Sequence, residues 1–156
     1  MELRVYHGSN VAVEFPEIRT ARYHKDFYFG FYCTRYPEQA KRWATRHTGV
    51  GVVSEYIYHP DASLRVLAFE EMSEAWLDFI AACRMGKPHD YDVVEGPMAD
   101  DMIFNYVQQF MDGEISREAF WALARFKRPT HQISFHTARA LSTLQFVRAE
   151  EVTDDD

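Results

Sequence analysis

The sequence predicts an α+β fold built around a largely antiparallel β-sheet. Short β-favouring segments alternate irregularly with helical segments, unlike the strict strand-helix-strand order of a parallel sheet. The 156 residues are 47% hydrophobic and 15% aromatic, enough for one ordered domain with a substantial core and too few for two. We therefore predict a single domain over residues 1–149 and an acidic, solvated tail over residues 150–156.

Eight strands are predicted from period-two alternation or from β-branched and aromatic runs. Pro16 ends the second strand, and Gly96-Pro97 closes the sixth. The third, FYFGFYCT, is almost entirely aromatic, and its Gly30 marks a point where another group can approach the backbone. The predicted strands are residues 3–6, 11–15, 27–34, 51–58, 64–69, 91–95, 132–135 and 145–148.

Five helices are predicted from apolar residues at helical spacing and from their capping residues. Pro37 opens the first helix, with Thr34 or Tyr36 near its cap. Ser73 and Ser116 are natural N-caps of the second and fourth helices. The predicted helices are residues 37–44, 73–84, 100–111, 116–126 and 137–144.

Charge and cysteine content exclude several classes of function. The net charge of −7 argues against broad nucleic-acid binding, which needs a basic face. Two basic clusters, at 19–25 and 41–47, can meet a phosphate or an acidic partner, or can be solvated faces. Cys33 and Cys83 have neither the spacing of a zinc site nor that of a disulfide framework, so no metal is expected. Since no apolar run has signal-peptide or membrane-span length, a cytoplasmic protein without a membrane partner is expected.

Four short segments carry polar or aromatic groups at predicted strand ends. Each also has an ordinary structural explanation: a strand-to-turn transition, rings that fill a core, carboxylates that cap a helix, or a solvated strand face. In the third segment, the consecutive acids Asp100 and Asp101 follow Gly96-Pro97 and are more than capping requires. The four segments are Tyr6-His7-Gly8-Ser9 and residues 27–34, 92–101 and 131–136.

The order and spacing of these segments resemble the ADP-ribosyltransferase superfamily, in its poly(ADP-ribose) polymerase and diphtheria-toxin-like branch. That branch carries His-Gly-Ser/Thr on its first strand, a Gly-x-Tyr strand followed by a helix, and a Glu at the start of a late strand. The matching residues here are His7-Gly8-Ser9, Gly30-Phe31-Tyr32 and Gln132. The chain is more similar still to the bacterial DUF3990 type, thought to belong to that superfamily. This similarity runs from Tyr6 to about Phe146, through YHGS, DFYFGFYCT, QAKRWA, WLDFI, YDVVEGPMADD, QISFHTARAL and LQF.

The resemblance implies an ADP-ribosyltransferase-like fold, a split and mostly antiparallel β-sheet with inserted helices, that takes NAD as its substrate. It implies that His7 hydrogen-bonds the adenosine-side ribose, that the Gly8 backbone holds the nicotinamide amide, and that Tyr32 stacks on the nicotinamide ring. His7, Tyr32 and Gln132 are then the expected catalytic residues. The other NAD contacts that we infer are Tyr6, Ser9, Phe29 and Gly30.

Two positions depart from the family pattern. Tyr28 stands where the DUF3990 pattern has glycine, and Gln132 stands where the superfamily has its catalytic Glu. A glutamine keeps the hydrogen bond of that Glu but supplies no charge and cannot act as a base. A transferase then takes its acid from Asp100, Asp101 or Glu95, or acts on an acceptor that is already nucleophilic.

Three functional hypotheses follow. The first is an NAD-dependent mono-ADP-ribosyltransferase whose acceptor is a protein, a nucleic acid or a small molecule. By family resemblance, it acts as a toxin of a toxin-antitoxin or defence system and has a cognate antitoxin protein. The second is a catalytically inactive module that binds NAD or an ADP-ribose-like ligand. The third is an interaction protein whose helices around Trp76 and Trp121 present apolar faces to a partner.

Overall fold

A computed structural model of the chain describes residues 2–18, 26–98, 101–125 and 130–154, with the side chain of Asp101 outside the description. The described residues form an α+β structure. None of their helices has the length and apolar character needed to cross a bilayer. The elements are β1 (Leu3–Ser9), β2 (Phe31–Cys33), α1 (Pro37–Thr45), β3 (Val50–Tyr58), β4 (Val66–Ala68), α2 (Glu74–Arg84), β5 (Val93–Met98), α3 (Asp101–Met111), α4 (Arg117–Ala124), β6 (Thr130–Phe135), α5 (Ala138–Leu141) and β7 (Leu144–Thr153).

The strands form two sheets that meet at one pair of residues. The first sheet has the order β1-β3-β7 and is antiparallel; the second has the order β2-β6-β5-β4 and is mixed, because β4 runs parallel to β5. Tyr6 of β1 and Thr34 after β2 exchange two backbone hydrogen bonds of 2.8 and 2.9 Å. This isolated bridge joins the two sheets in the described part of the chain.

Two hydrophobic cores lie on opposite faces of the second sheet. Val93 belongs to a core with the first sheet, including Val5 and Tyr56, whereas its neighbour Val94 belongs to a core with the helices, including Trp76. Successive strand residues point to opposite faces, so the run Val93-Val94 serves both cores. The helices α2, α3 and α4 therefore cover one face of this sheet, and the other face packs toward the first sheet.

The predicted starts of α1, α2, α4 and α5 are confirmed, and the predicted start of α3 at residue 100 lies outside the described residues. The Oγ atoms of Ser73, Ser116 and Thr137 accept hydrogen bonds from backbone N–H groups three residues later, at 3.1–3.2 Å. Pro37 occupies the first turn of α1, where its missing N–H is harmless, and Tyr36 is the N-cap without a side-chain capping bond. The helix ends were predicted too late in two cases, since α4 ends at Ala124 and α5 at Leu141.

Two strand predictions near the N-terminus are wrong. Residues 11–15 form no strand; they are held by the Val13 N–H, which donates to Ser54 Oγ at 3.1 Å, and by Val13 O, which accepts from the Tyr56 hydroxyl. The aromatic run 27–34 is a strand only over Phe31–Cys33, because Tyr28 has a left-handed backbone with φ of 76° that turns the chain.

Strands β1, β5 and β7 extend past their predicted C-terminal ends. β1 continues through His7-Gly8-Ser9, which pair with β3 and so lie within the strand instead of at its end. β5 includes Gly96-Pro97: its neighbour β4 ends opposite Glu95, so Pro97 has a strand on one side only and needs no second ladder bond. β7 reaches Thr153, so the residues 150–153 assigned to an acidic tail pair with β3 at a sheet edge, where charge is tolerated.

Two glycines allow helix α1 to pack directly on the first sheet. A Cβ atom at Gly8 would lie 2.1 Å from the carbonyl oxygen of Ala40, and one at Gly51 would lie 2.3 Å from that of Ala44. Both carbonyls belong to the helix backbone and cannot move aside as a side chain can. The helix and the sheet are therefore in contact only because these two positions lack side chains.

We predict that Gly8→Ala lowers the free energy of unfolding by at least about 3 kcal/mol, since the new methyl group overpacks a backbone contact. Gly113→Ala is the matched control. Gly113 has a left-handed φ of 75°, and a Cβ atom at this position would have no other atom within 4 Å. Its cost is the backbone strain alone, about 1 kcal/mol. Urea denaturation measures both variants, and equal losses would contradict the packing explanation.

Candidate functional site

The three strands that carry the sequence motifs lie side by side. β1 meets the chain after β2 at the Tyr6–Thr34 bridge, and β2 pairs with β6 through Tyr32–Ser134 and Cys33–Ile133. His7, Tyr32 and Gln132, which are far apart in sequence, are therefore on neighbouring strands. We call these three residues and the Tyr6–Thr34 bridge the sheet junction.

His7 links β1 to β2 where their backbone pairing ends. Its Nδ1 lies 2.6 Å from the carbonyl oxygen of Tyr32. Because a carbonyl only accepts, Nδ1 carries the proton and donates. The imidazole also stacks on Phe31, with ring centroids 4.3 Å apart. These two contacts fix the ring orientation of His7 at the junction.

The ring of Tyr32 packs against the second core, and its hydroxyl holds the turn before β2. The hydroxyl donates to the carbonyl oxygen of Tyr28 and accepts from the Phe27 N–H at 3.1 Å. Burial, and then the charge of Asp26, raise the pKa of Tyr32 well above its usual value. The phenol is therefore protonated throughout the physiological range and serves as a fixed hydrogen-bonding group.

The other inferred NAD contacts have partners within the chain. The space beside Gly8 is filled by α1, and a Cβ atom at Gly30 would lie 2.7 Å from His136 Nδ1. Ser9 Oγ donates to Val11 O at 2.7 Å. Tyr6 lies opposite Glu55 in the β1–β3 register, and the carbonyl oxygen of Phe29 accepts from His136 Nδ1 at 2.7 Å. Each position thus has a structural role, whatever it also contributes to ligand binding.

Gln132 presents an unsatisfied polar group at the junction. Its side chain is 1% exposed, and its Nε2 atom has no hydrogen-bond partner in the part of the chain that the structure describes. An unpaired buried donor costs about 1–3 kcal/mol. Among the described residues, the indole Nε1 of Trp121 is the other buried side-chain atom in this condition. A cost of this size at a motif position calls for a functional explanation.

Glu95 is the one predicted acid whose side chain is described. It accepts hydrogen bonds from Arg35 Nε and Nη2 at 2.5 and 2.9 Å, and from His131 Nε2 at 2.8 Å. Burial alone would raise the pKa of Glu95, but these hydrogen bonds and the charge of Arg35 outweigh it and lower the pKa to about 2. Asp100 and the side chain of Asp101 lie outside the described residues.

The Glu95 network lines an open pocket of about 560 Å³ between α1, β5 and β6. Gln39 borders this pocket and pairs with the edge of β6, since its amide oxygen accepts from the His131 N–H at 2.9 Å and its Nε2 donates to His131 O. Sequence reasoning missed Arg35 and Gln39, because only the strand register brings them to Glu95 and His131. The other lining residues are Tyr36, Arg42, Ala68, Phe69, Glu70, Gly96, Pro97 and Thr130.

Comparison with known proteins identifies the family of this chain. Residues 3–146 match the model of DUF3990, described as a protein of unknown function. The chain belongs to the DUF3990 family. No curated protein and no solved structure matches it. The DUF3990 resemblance of the motifs is thereby confirmed, and the relation to ADP-ribosyltransferases stays a prediction.

The turn before β2 contains a residue with a strained backbone. Here Tyr28 has a φ of 76°, and it is the one non-glycine residue with a positive φ among those described. Glycine adopts this conformation freely, whereas a residue with a Cβ atom is strained. The turn before β2 therefore carries a strain of about 1–2 kcal/mol at Tyr28.

A half-buried histidine directly after β6 holds the same turn. His136 donates from Nδ1 to Phe29 O, so its Nε2 accepts from the Ser134 hydroxyl at 2.7 Å. Burial lowers the pKa of His136 from 6.5 to about 4; the hydrogen bond to Phe29 opposes this shift, and the charge of His89 adds to it. His136 is therefore neutral at pH 7 in the folded protein.

We predict a stability loss in mild acid that depends on His136. Between pH 6.5 and about 4 the unfolded chain binds a proton at this position and the folded chain does not. The free energy of unfolding therefore decreases as the pH is lowered through this range. His136→Gln lacks this contribution, so the stability difference between wild type and variant narrows across that window. Urea denaturation at several pH values measures it, and a constant difference would show that His136 does not titrate as described.

Proposed function

We propose that this DUF3990 protein binds NAD at the sheet junction and transfers ADP-ribose from it to an acceptor. The observation that carries the proposal is the unpaired Nε2 of Gln132, at the position where the resemblance puts the superfamily's Glu. A ribose hydroxyl of NAD offers the acceptor that this amide lacks. Because Gln132 is 1% exposed, the proposal also requires the surroundings of the amide to open when NAD binds.

The proposed reaction breaks the bond between the nicotinamide nitrogen and the ribose. The bonding electron pair leaves with nicotinamide, which departs neutral, and the oxocarbenium-like ribose is captured by a nucleophile of the acceptor. That nucleophile loses its proton to water. Gln132 orients the ribose through a hydrogen bond, but a neutral amide gives up an electrostatic stabilisation worth on the order of 10²-fold in rate. Turnover is therefore expected to be slow.

Glu95 does not replace the missing base. A carboxylate with a pKa of about 2 takes up protons poorly at pH 7, and its charge is shared with Arg35 and His131. We assign it the role of a positioning residue that fixes the imidazole of His131, the residue before Gln132 on β6. This assignment favours an acceptor that needs little activation, whether it comes from a protein, a nucleic acid or a small molecule.

One observation favours a second candidate function. Gln132 is neutral, and Glu95, the one candidate acid whose side chain is described, is already paired. Such a site also suits a module that binds NAD or an ADP-ribose-like ligand without turnover. The two functions share the binding step and differ in the release of nicotinamide.

Gln132→Met is predicted to raise the stability of the protein and to lower its activity. Removing an unpaired buried donor raises the free energy of unfolding by about 1–3 kcal/mol, whereas loss of the ribose contact reduces nicotinamide release at least about tenfold. Gln145→Met is the control, because Gln145 is exposed and its amide oxygen contacts His59 Nε2 at 2.9 Å. Labelled NAD and urea denaturation provide the two measurements.

The outcomes separate the candidates. Saturable NAD binding without nicotinamide release would contradict the transferase and leave the binding module. Absence of NAD binding would contradict both. A loss of stability in Gln132→Met would show that the amide is an ordinary core group, and the reason for placing the site at Gln132 would disappear.

The proposed cellular role is that of a toxin held inactive by a cognate antitoxin protein. It rests on the family resemblance and on the proposed transfer reaction. Expression in a bacterial host is then expected to arrest growth, and Gln132→Met is expected to relieve the arrest at equal protein level. Equal growth with both forms would contradict the toxin role without bearing on NAD binding.

A further inference from the structure

A second open pocket, of about 490 Å³, lies at the opposite end of β6 from Gln132. Aromatic rings dominate its walls: Tyr28 and Phe29 come from the turn before β2, His89 and Tyr91 from the segment before β5, and His136 from the end of β6. We call it the aromatic pocket. Its remaining lining residues are Ile18, Pro88, Asp90 and Thr137.

Tyr28 lines this pocket at the expense of backbone strain. Its φ of 76° is a conformation that glycine adopts freely and tyrosine does not. The strained backbone brings the Tyr28 ring beside that of Phe29, with centroids 4.7 Å apart. Strained residues of this kind concentrate at binding sites, where the side chain is needed in one place.

The two histidines present aromatic surface to the pocket. His89 donates from Nε2 to Phe27 O at 2.9 Å and accepts at Nδ1 from the Tyr91 N–H at 3.0 Å. Both nitrogens of His136 are likewise used, by Phe29 and Ser134. The two imidazoles pack edge to face with centroids 4.5 Å apart. They therefore supply ring faces and edges, with their polar atoms turned to the protein.

Asp90 is the charged group of the pocket. Its side chain is 88% exposed and has one long contact, at 3.7 Å, with Arg65 Nη1, which is itself 61% exposed. An exposed pair at this distance holds its carboxylate weakly. Thr137 is engaged, since its hydroxyl donates to Asp92 at 2.6 Å. No lysine or arginine is among the described lining residues, and the Asp90 carboxylate attracts N–H donors.

We propose that the aromatic pocket binds a nucleobase that carries an exocyclic amino group. The base stacks on the rings of Tyr28 and Phe29, and its amino group donates to the Asp90 carboxylate. The side chains of His7, Tyr32 and Gln132 do not line this pocket, whereas Phe29 is shared with the inferred NAD contacts.

Calorimetric titration with adenosine tests the inference. Inosine, which replaces the amino group by a carbonyl, is expected to bind at least about tenfold more weakly, because it cannot donate to Asp90 from that position. Tyr28→Gly removes one stacking ring and is expected to weaken adenosine binding at least about tenfold. The fold is retained in this variant, since glycine takes the positive φ without strain.

Matched variants locate the bound adenosine. Asp90→Ala is expected to weaken adenosine binding at least about tenfold. Glu114→Ala removes an exposed acid outside the pocket and leaves the affinity unchanged. Equal affinity for adenosine and inosine, or adenosine binding that survives Tyr28→Gly but is lost in Gln132→Met, would overturn the assignment. Absence of adenosine binding to the wild-type protein at millimolar concentration would also overturn it.

Discussion

The pair of backbone hydrogen bonds between Tyr6 and Thr34 is the constraint on which the arrangement of this protein depends. It joins a three-stranded and a four-stranded sheet that have no other strand pairing among the described residues. His7 extends the connection by donating to Tyr32 O. Since the motif residues lie on the strands next to this bridge, the joint between the sheets and the candidate site are the same place.

The turn before β2 is held just as firmly, by side chains from three other elements of the chain. The carbonyl oxygens of Phe27, Tyr28 and Phe29 each accept one hydrogen bond, from His89, Tyr32 and His136 respectively. Three consecutive carbonyls fixed in this way keep Tyr28 in its left-handed conformation. The same contacts orient the rings of the aromatic pocket, so this turn connects the two proposed sites.

Much of the fold can be predicted from the sequence, because it is encoded locally. Serine caps, Pro37 and helical apolar spacing place the helix starts, and alternation places β3 and β6. What alternation cannot give is tertiary context. Pro97 can remain in β5 because the neighbouring strand β4 is short. Strand β7 includes acidic residues because they pair with β3. Strand β2 is short because the strained Tyr28 turns the chain before it. The motifs likewise indicate His7, Tyr32 and Gln132 as site residues. The Arg35–Glu95–His131 network and the burial of Gln132 could not be predicted, because they depend on strand register and layer packing, which no local pattern contains.

The central claim is that the buried amide of Gln132 meets NAD. Its most direct test is the side-chain N–H₂ signal of Gln132 in a ¹H–¹⁵N correlation spectrum, assigned by its absence in Gln132→Met and followed during titration with NAD and, separately, with adenosine. The account predicts that NAD shifts this signal saturably and slows its hydrogen exchange, while adenosine leaves it unchanged. A Gln132 signal that does not move at saturating NAD would contradict it.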